Sequence, residues 1–199
     1  MLLTTELEMI RDSVRAFARE RLAPFAAQWD RDATFPREAI AGLADLGLMG
    51  ICVPERWGGS GLGYVALALA MEEIAAGDGG TSTVVSVNNL VCNVLAGYGS
   101  DAQKERYLKP LASGERLGCF CLTEPHVGSD AAAIRTTARR EGGLWVLDGV
   151  KQFITSGKTA QVAVVFAVVD KNAGKKGIGA FVLPTDTPGF AVARIEHKM

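Results

Sequence analysis

"LGCFCLTEPHVGSD", residues 117–130, is where the chain changes its period, and this change decides the fold class. Before Leu117 apolar residues recur at three- and four-residue steps. After it they come in short runs rich in branched and aromatic side chains. The stretch leaves an apolar segment and enters a loop holding Pro125, Gly128, the hydroxyls of Thr123 and Ser129, and the carboxylates of Glu124 and Asp130. A strand that ends at Thr123 and turns at Pro125 exposes backbone N–H groups with no ladder partner, and Gly128 lets a flat group approach the chain. Such a loop suits a planar heterocycle with donors and acceptors along its edge, or a phosphate. A second segment, "KQFITSGK" at 151–158, is expected to carry Thr155, Ser156 and Gly157 at the end of another apolar strand, so that two strand ends clasp one ligand. Threonine in a strand and Ser-Gly in a turn are also ordinary structural uses, and both readings stand on the residues alone.

Upstream of this stretch, Leu7, Ile10, Val14, Phe17, Leu22, Phe25 and Trp29 form the stripe of an amphipathic helix. Pro36 fits a first helical position, and the helix it opens is expected to stop at Gly47 in the left-handed conformation. Further helices are expected over Tyr64–Ala76 and Thr83–Ala96, with Glu72 and Glu73 on the polar side of the first. Ser100 and Gln103 make a capping box before a helix containing Tyr107 and Leu108, which Pro110 should kink or close. "WGGSGLG" at 57–63 does not fit a dinucleotide-binding GxGxxG and reads as a turn between helices.

Downstream, "LGCFCLT", "RTTARRE", "LWVLDGVKQFIT", "VAVVFAVVD" and "IGAFVLP" have strand composition, with turns at "GGL" (142–144) and "NAGKKG" (172–177). "GFAVARIEHKM", 189–199, reads as one more strand, whose edge would need covering. The expected fold class is therefore α+β. An all-helical domain over residues 1–116 precedes an antiparallel β-sheet or barrel domain over 117–199.

Composition removes several function classes. Of 199 residues, 21 are Lys or Arg and 22 are Asp or Glu, a net charge of -1 that argues against a nucleic-acid surface. The apolar run Val162–Val169 falls well short of the roughly twenty residues of a spanning helix, so no membrane span is expected. The N-terminus lacks the pattern of a secretory signal, which makes the cytoplasm the expected location. Cys52, Cys92, Cys119 and Cys121 match neither a zinc ligand set nor a CxxC pair, so no metal is expected; Cys119 and Cys121 should share one face of a strand.

"CLTEPHVGSD", followed some twenty residues later by "LDGVKQFITSG", resembles the acyl-CoA dehydrogenase family, whose flavoproteins carry a T-E-P-x-x-G-S-D loop and a later [WF]-I-[TS] segment. "VPERWGGSGLGY" at 53–64 and "YGSDAQKERYLKPLASGE" at 98–115 are similar to other parts of the same family. The resemblance implies a helical domain, then a β-domain against which FAD sits. It implies that Phe120, Cys121, Leu122, Thr123, Gly128 and Ser129 hold the flavin ring and pyrophosphate region, with Ser129 also near substrate. Phe153 and Ile154 would pack by the isoalloxazine, and Thr155 would approach flavin N5. Phe120 stands where several members have tyrosine and Phe153 where many have tryptophan; each keeps an aromatic wall without the polar handle.

The activity implied is α,β-dehydrogenation of an acyl-CoA thioester, with hydride transfer to the flavin and an electron-transfer flavoprotein as acceptor. In the family the catalytic glutamate comes from a C-terminal helical domain. These 199 residues are not expected to include that domain, so no catalytic residue is assigned among them; Glu124 reads as a loop anchor and His126 as an exposed loop residue. A homo-oligomer or a complementary chain is expected to complete the site. Ser82, Ser86 and Val87 lie on the helix expected to line the acyl pocket, where small side chains would admit a longer or branched chain. Two other readings share these residues: a flavin monooxygenase or oxidase of the same fold, and a non-catalytic subunit that pairs with a base-bearing chain.

Overall fold

The structure, a computed structural model, describes residues 3–196. It forms two compact units, Met1–Arg116 and Leu117–Met199.

The first unit is helical. Helix α1 (Thr5–Phe17) is capped by the Thr4 hydroxyl, which accepts from Leu7 N. A π-helical turn, Ala18–Leu22, separates it from α2 (Ala23–Asp32). The expected single stripe from Leu7 to Trp29 is thus interrupted, and the cause is Pro24. Its ring has no N–H to close an α-turn, and the turn before it widens so that Ala23 N reaches Ala18 O. As a result α2 contributes no buried residue. Phe25 is 44% exposed and stacks on Trp29 at 5.7 Å instead of entering the core. Helix α3 (Arg37–Asp45) ends as expected, with Gly47 left-handed at φ 74°.

Helix α4 (Tyr64–Gly77) carries a departure from the sequence reading. Glu72 is exposed, but Glu73 is buried and accepts from Arg15 Nε at 2.9 Å and Nη2 at 2.6 Å, tying α4 to α1. Helix α5 (Gly79–Tyr98) starts earlier than its apolar period suggests, because Asp78 accepts from Gly80 N and Thr81 N and holds the two glycines in the first turn. The Ser100/Gln103 capping box opens α6 (Asp101–Gln103). A second π-helical turn, Lys104–Leu108, then leads to α7 (Lys109–Ala112), again just ahead of a proline, Pro110.

Leu22, Leu43, Met49, Ile51, Ile74, Leu108 and Leu111 are fully buried. Each contributes on the order of 1.5–3 kcal/mol by leaving water. Among them lie two buried amides. Asn88 Nδ2 donates to Met49 O (2.8 Å) and Leu111 O (3.0 Å); Asn89 donates to Leu48 O (2.8 Å) and Val85 O (3.0 Å) and accepts from Ile51 N (2.9 Å). They satisfy polar backbone groups of the short 3-10 turn Leu48–Gly50 and of Ile51 after it. The segment 57–63 is a turn, as read: Gly61 N and Leu62 N return to Val53 O and Ile51 O, and a side chain at Gly59 would run into Val53.

The second unit is a five-stranded sheet of β1 (Gly118–Cys121), β2 (Thr137–Glu141), β3 (Leu144–Asp148), β4 (Val162–Val168) and β5 (Ile178–Pro184). It is mixed, which corrects the expectation of a wholly antiparallel sheet or barrel. The β2–β3 and β4–β5 pairs are antiparallel; β1 runs parallel to β4 from Gly118↔Val162 to Cys121↔Val165, and β2 meets β4 in parallel at Thr137↔Val168. The long excursion between β1 and β4 allows the parallel pairing, since no tight hairpin joins them. Central β4, "VAVVFAV", is nearly all buried, as a strand flanked on both edges should be. The β2–β3 hairpin turns through Gly142 and Gly143, both at positive φ (54° and 86°), the conformation a two-residue hairpin requires.

Two strand expectations fail. "LWVLDGVKQFIT" is a strand only as far as Asp148, and residues 149–158 form an irregular loop. The part of "GFAVARIEHKM" from Gly189 to Glu196 forms no strand: Gly189 lies in a turn at φ 90°, with Phe190 N donating to Thr187 O at 2.9 Å, and the residues after it are irregular, while His197, Lys198 and Met199 lie outside the described residues.

Candidate functional site

Strand β1 alternates. Cys119 and Cys121 are buried on one face with their sulfurs 3.8 Å apart, while Phe120 on the other face packs on Phe166 with ring centroids at 5.0 Å. The pairing ends after Cys121, so Leu122 and Thr123 project beyond the sheet, both half-buried. The chain then doubles back. Glu124 N donates to Val127 O (2.9 Å) and Val127 N to Glu124 O (3.1 Å), with Pro125 and His126 at the corner. Gly128 and Ser129 follow, exposed. Only the Thr123 methyl, at 3.9 Å, lies within reach of a Cβ built at Gly128, so the chain leaves that space open.

Glu124 organises the turn. Its carboxylate is buried and accepts from Arg135 N (2.6 Å), Thr136 N (2.9 Å) and Lys151 Nζ (2.8 Å). Burial pushes its pKa upward, but Lys151, Thr136 and the backbone N–H groups at 135 and 136 outweigh that and hold it at about 2. The loop-anchor reading of Glu124 is borne out. His126 proves to have neighbours that its local sequence did not offer: Nε2 lies 3.3 Å from Ala133 O and 3.7 Å from Glu124 Oε2.

The irregular loop 149–158 docks onto this strand end. Gln152 N donates to Thr123 O at 2.8 Å, and Lys151 Nζ donates to Leu122 O at 3.0 Å as well as to Glu124. The two hydroxyl-bearing segments are thereby neighbours, although the second one reaches this place as a loop and not as the expected strand. Two of its residues sit in left-handed backbone without being glycine: Phe153 at φ 58° and Ser156 at φ 60°. Each costs on the order of 1 kcal/mol or more, which the docking contacts must offset. Phe153 is 59% exposed; Ile154, Thr155 and Ser156 are half-buried. The Ser156 hydroxyl is enclosed and finds no hydrogen-bond partner in the structure.

Sequence reasoning passed over Lys151 and Gln152. A lone lysine within "GVKQFI", where a buried strand was expected, was the available signal of a buried charge with a distant partner. Ser82 donates back to Gly79 O, and Ser86 is exposed on α5. Among the described residues no group of three His, Cys, Asp or Glu side chains could hold a metal ion, and no helix is long and apolar enough to cross a membrane.

Two hydroxyl-bearing loops are thus locked together at the end of the first strand of the sheet unit. Residues 4–115 match the family profile "Acyl-CoA dehydrogenase, N-terminal domain" and residues 119–199 match "Acyl-CoA dehydrogenase, middle domain". The chain belongs to the acyl-CoA dehydrogenase family, whose members are FAD-dependent. It is 45% identical to the human mitochondrial short-chain specific acyl-CoA dehydrogenase over 96% of its own length and 47% of that protein's. Among solved structures it matches glutaryl-CoA dehydrogenase from Mycobacterium smegmatis in complex with FADH2 (TM-score 0.92, 40% identity, 99% of this chain and 50% of that one). It also matches a chain described as the electron transferring flavoprotein of Acidaminococcus fermentans (TM-score 0.95, 41% identity, 100% of this chain and 52% of that one). The chain thus spans about half the length of the relatives it matches.

Proposed function

We propose that these residues form the flavin-holding part of an acyl-CoA dehydrogenase that introduces an α,β double bond into an acyl-CoA thioester. The observation that carries this reading is the docking of loop 149–158 onto residues 122–124, which sets Thr123 and the Thr155–Ser156 pair into one neighbourhood. The residues fit a flavin. An enclosed serine hydroxyl lacks a partner, open space stands beside Gly128, and the exposed Phe153 ring is held in costly backbone.

Phe120, Cys121, Leu122, Thr123, Gly128 and Ser129 from the first segment, with Phe153, Ile154 and Thr155 from the second, are the proposed contacts of the cofactor, and Ser129 also faces substrate. The carbonyls of Leu122 and Thr123 are already engaged by Lys151 and Gln152, so this strand end has N–H and hydroxyl donors to offer. Fixed donors stabilise developing negative charge without reorganising. FAD, when bound, supplies hydride acceptance from the acyl chain. Removal of the α-proton is assigned to a carboxylate outside these 199 residues, because Glu124 is already committed to Lys151 and two backbone N–H groups. The relatives' names favour short acyl groups, and the likeness to the Acidaminococcus protein favours electron-transfer flavoprotein as the acceptor. A homo-oligomer is the proposed assembly.

Anaerobic titration of the full-length flavoprotein with butyryl-CoA, glutaryl-CoA and octanoyl-CoA tests this. Bleaching of the flavin band by butyryl-CoA with formation of the enoyl product is the expected result. A bound flavin that none of the three thioesters bleaches overturns the proposed reaction.

A further inference from the structure

We propose that Lys151 and Glu124 are a positioning pair for the flavin. Together they fix the separation of the two cofactor-facing segments, and this role is distinct from what they contribute to folding. The proposal rests on the flavin reading above.

Lys151 and Glu124 side chains are 10% and 2% exposed, and each holds more than one partner: Lys151 reaches back to residues 122 and 124, and Glu124 reaches forward to 135, 136 and 151. Lys151 Nζ binds the strand end through Leu122 O and Glu124 Oε1. Glu124 in turn grips the far side of its own loop through Arg135 N and Thr136 N. Residues 122, 124, 135–136 and 151 are therefore fastened at one point. The next residue along, Gln152, repeats the attachment through Thr123 O, and the left-handed residues Phe153 and Ser156 follow directly. A loop with two non-glycine residues in that conformation holds its shape only where its ends are tied, and Lys151 is the charged tie. An ammonium donating to a carbonyl and a carboxylate at once also sets a geometry that no single neutral hydrogen bond would.

The same pair is a buried ion pair, so removing one partner strands the other charge and lowers stability in any case. A double variant separates the two effects. In full-length protein, Lys151→Met is expected to raise the FAD dissociation constant at least tenfold and to change the visible circular dichroism of the bound flavin. Lys151→Arg, which keeps the charge and two donors, should stay within about threefold of wild type. Glu124→Gln with Lys151→Met leaves no stranded charge, and should recover much of the apoprotein melting temperature lost in Lys151→Met while leaving FAD affinity impaired.

Wild-type FAD affinity and flavin dichroism in Lys151→Met would overturn the proposal. So would a double variant in which affinity returns together with stability. Should Lys151→Met fail to fold, the double variant alone decides. A wild-type protein that holds no FAD refutes the flavin reading itself, and is thereby told apart from a failure of the pair.

Discussion

The two units fasten backbone that lies outside their α-helices and strands in different ways. In the helical unit the segment 48–51 is held by neutral amides, Asn88 and Asn89, which bind carbonyls of residues 48, 49 and 111 and the N–H of Ile51. In the β unit the turn after β1 is held by a buried carboxylate, Glu124, with Lys151 beside it. Both devices satisfy polar backbone groups away from water, at net gains of about 1 kcal/mol per bond and more where a charge takes part. They differ in what they respond to. An amide neither titrates nor needs a counter-charge, whereas a buried carboxylate depends on its proton and on its lysine. The rigid device sits in a helical core, and the conditional one sits beneath the proposed cofactor loop.

The sharpest way to break the contrast is Glu124→Leu, which leaves two N–H groups without their acceptor and Lys151 with Leu122 O but no counter-charge. A loss of about 3–5 kcal/mol in the denaturation of the full-length protein is expected. Acid should act on the same group without mutation. Its folded pKa, about 2, lies below its ordinary 4.5, so its stabilisation is complete above the ordinary value and is lost as pH falls from about 5 toward 2. The amount is about 3 kcal/mol. Amide hydrogen exchange reads this locally: protection factors at Arg135 and Thr136 should fall across that window. Ile51 N, bonded to the neutral Asn89 side chain, should keep its protection for as long as the helical unit stays folded.

Asn89→Ala comes next, with an expected cost of about 2 kcal/mol that does not vary between pH 7 and pH 4, measured by urea denaturation. The smallest effect has the opposite sign. Ser156→Gly removes a non-glycine residue from left-handed backbone and should stabilise the apoprotein by roughly 1 kcal/mol, while the loss of the enclosed hydroxyl weakens FAD binding. A Ser156→Gly apoprotein no more stable than wild type would show that the loop is not held under strain.

What was readable in the sequence was whatever is encoded by near neighbours. The Ser100 capping box, the Gly47 stop, the Gly142–Gly143 hairpin and the apolar run of β4 all follow from residues a few positions apart. The loop role of Glu124 was legible from the proline and glycine around it. What escaped depends on distant partners. Glu73 looks like a solvent-facing helical residue until Arg15, 58 positions away, is placed against it. Residues 149–158 have the composition of a strand, but among the described residues no strand pairs with them, and Gln152 N turns instead to Thr123 O. The parallel course of β1 beside β4 was hidden for the same reason, since composition reports burial and not direction.

The π-helical turn at Ala18–Leu22 has a consequence for how the N-terminal segment tolerates change. One extra residue in a turn rotates everything beyond it by about 100° around the helix axis. Deleting a single residue there would therefore change the face of α2 on which the Phe25–Trp29 aromatic pair lies, while a substitution at the exposed Phe25 should be absorbed at the surface. Insertions and deletions in this stretch act on phase, and phase is what α2 has already spent to accommodate Pro24.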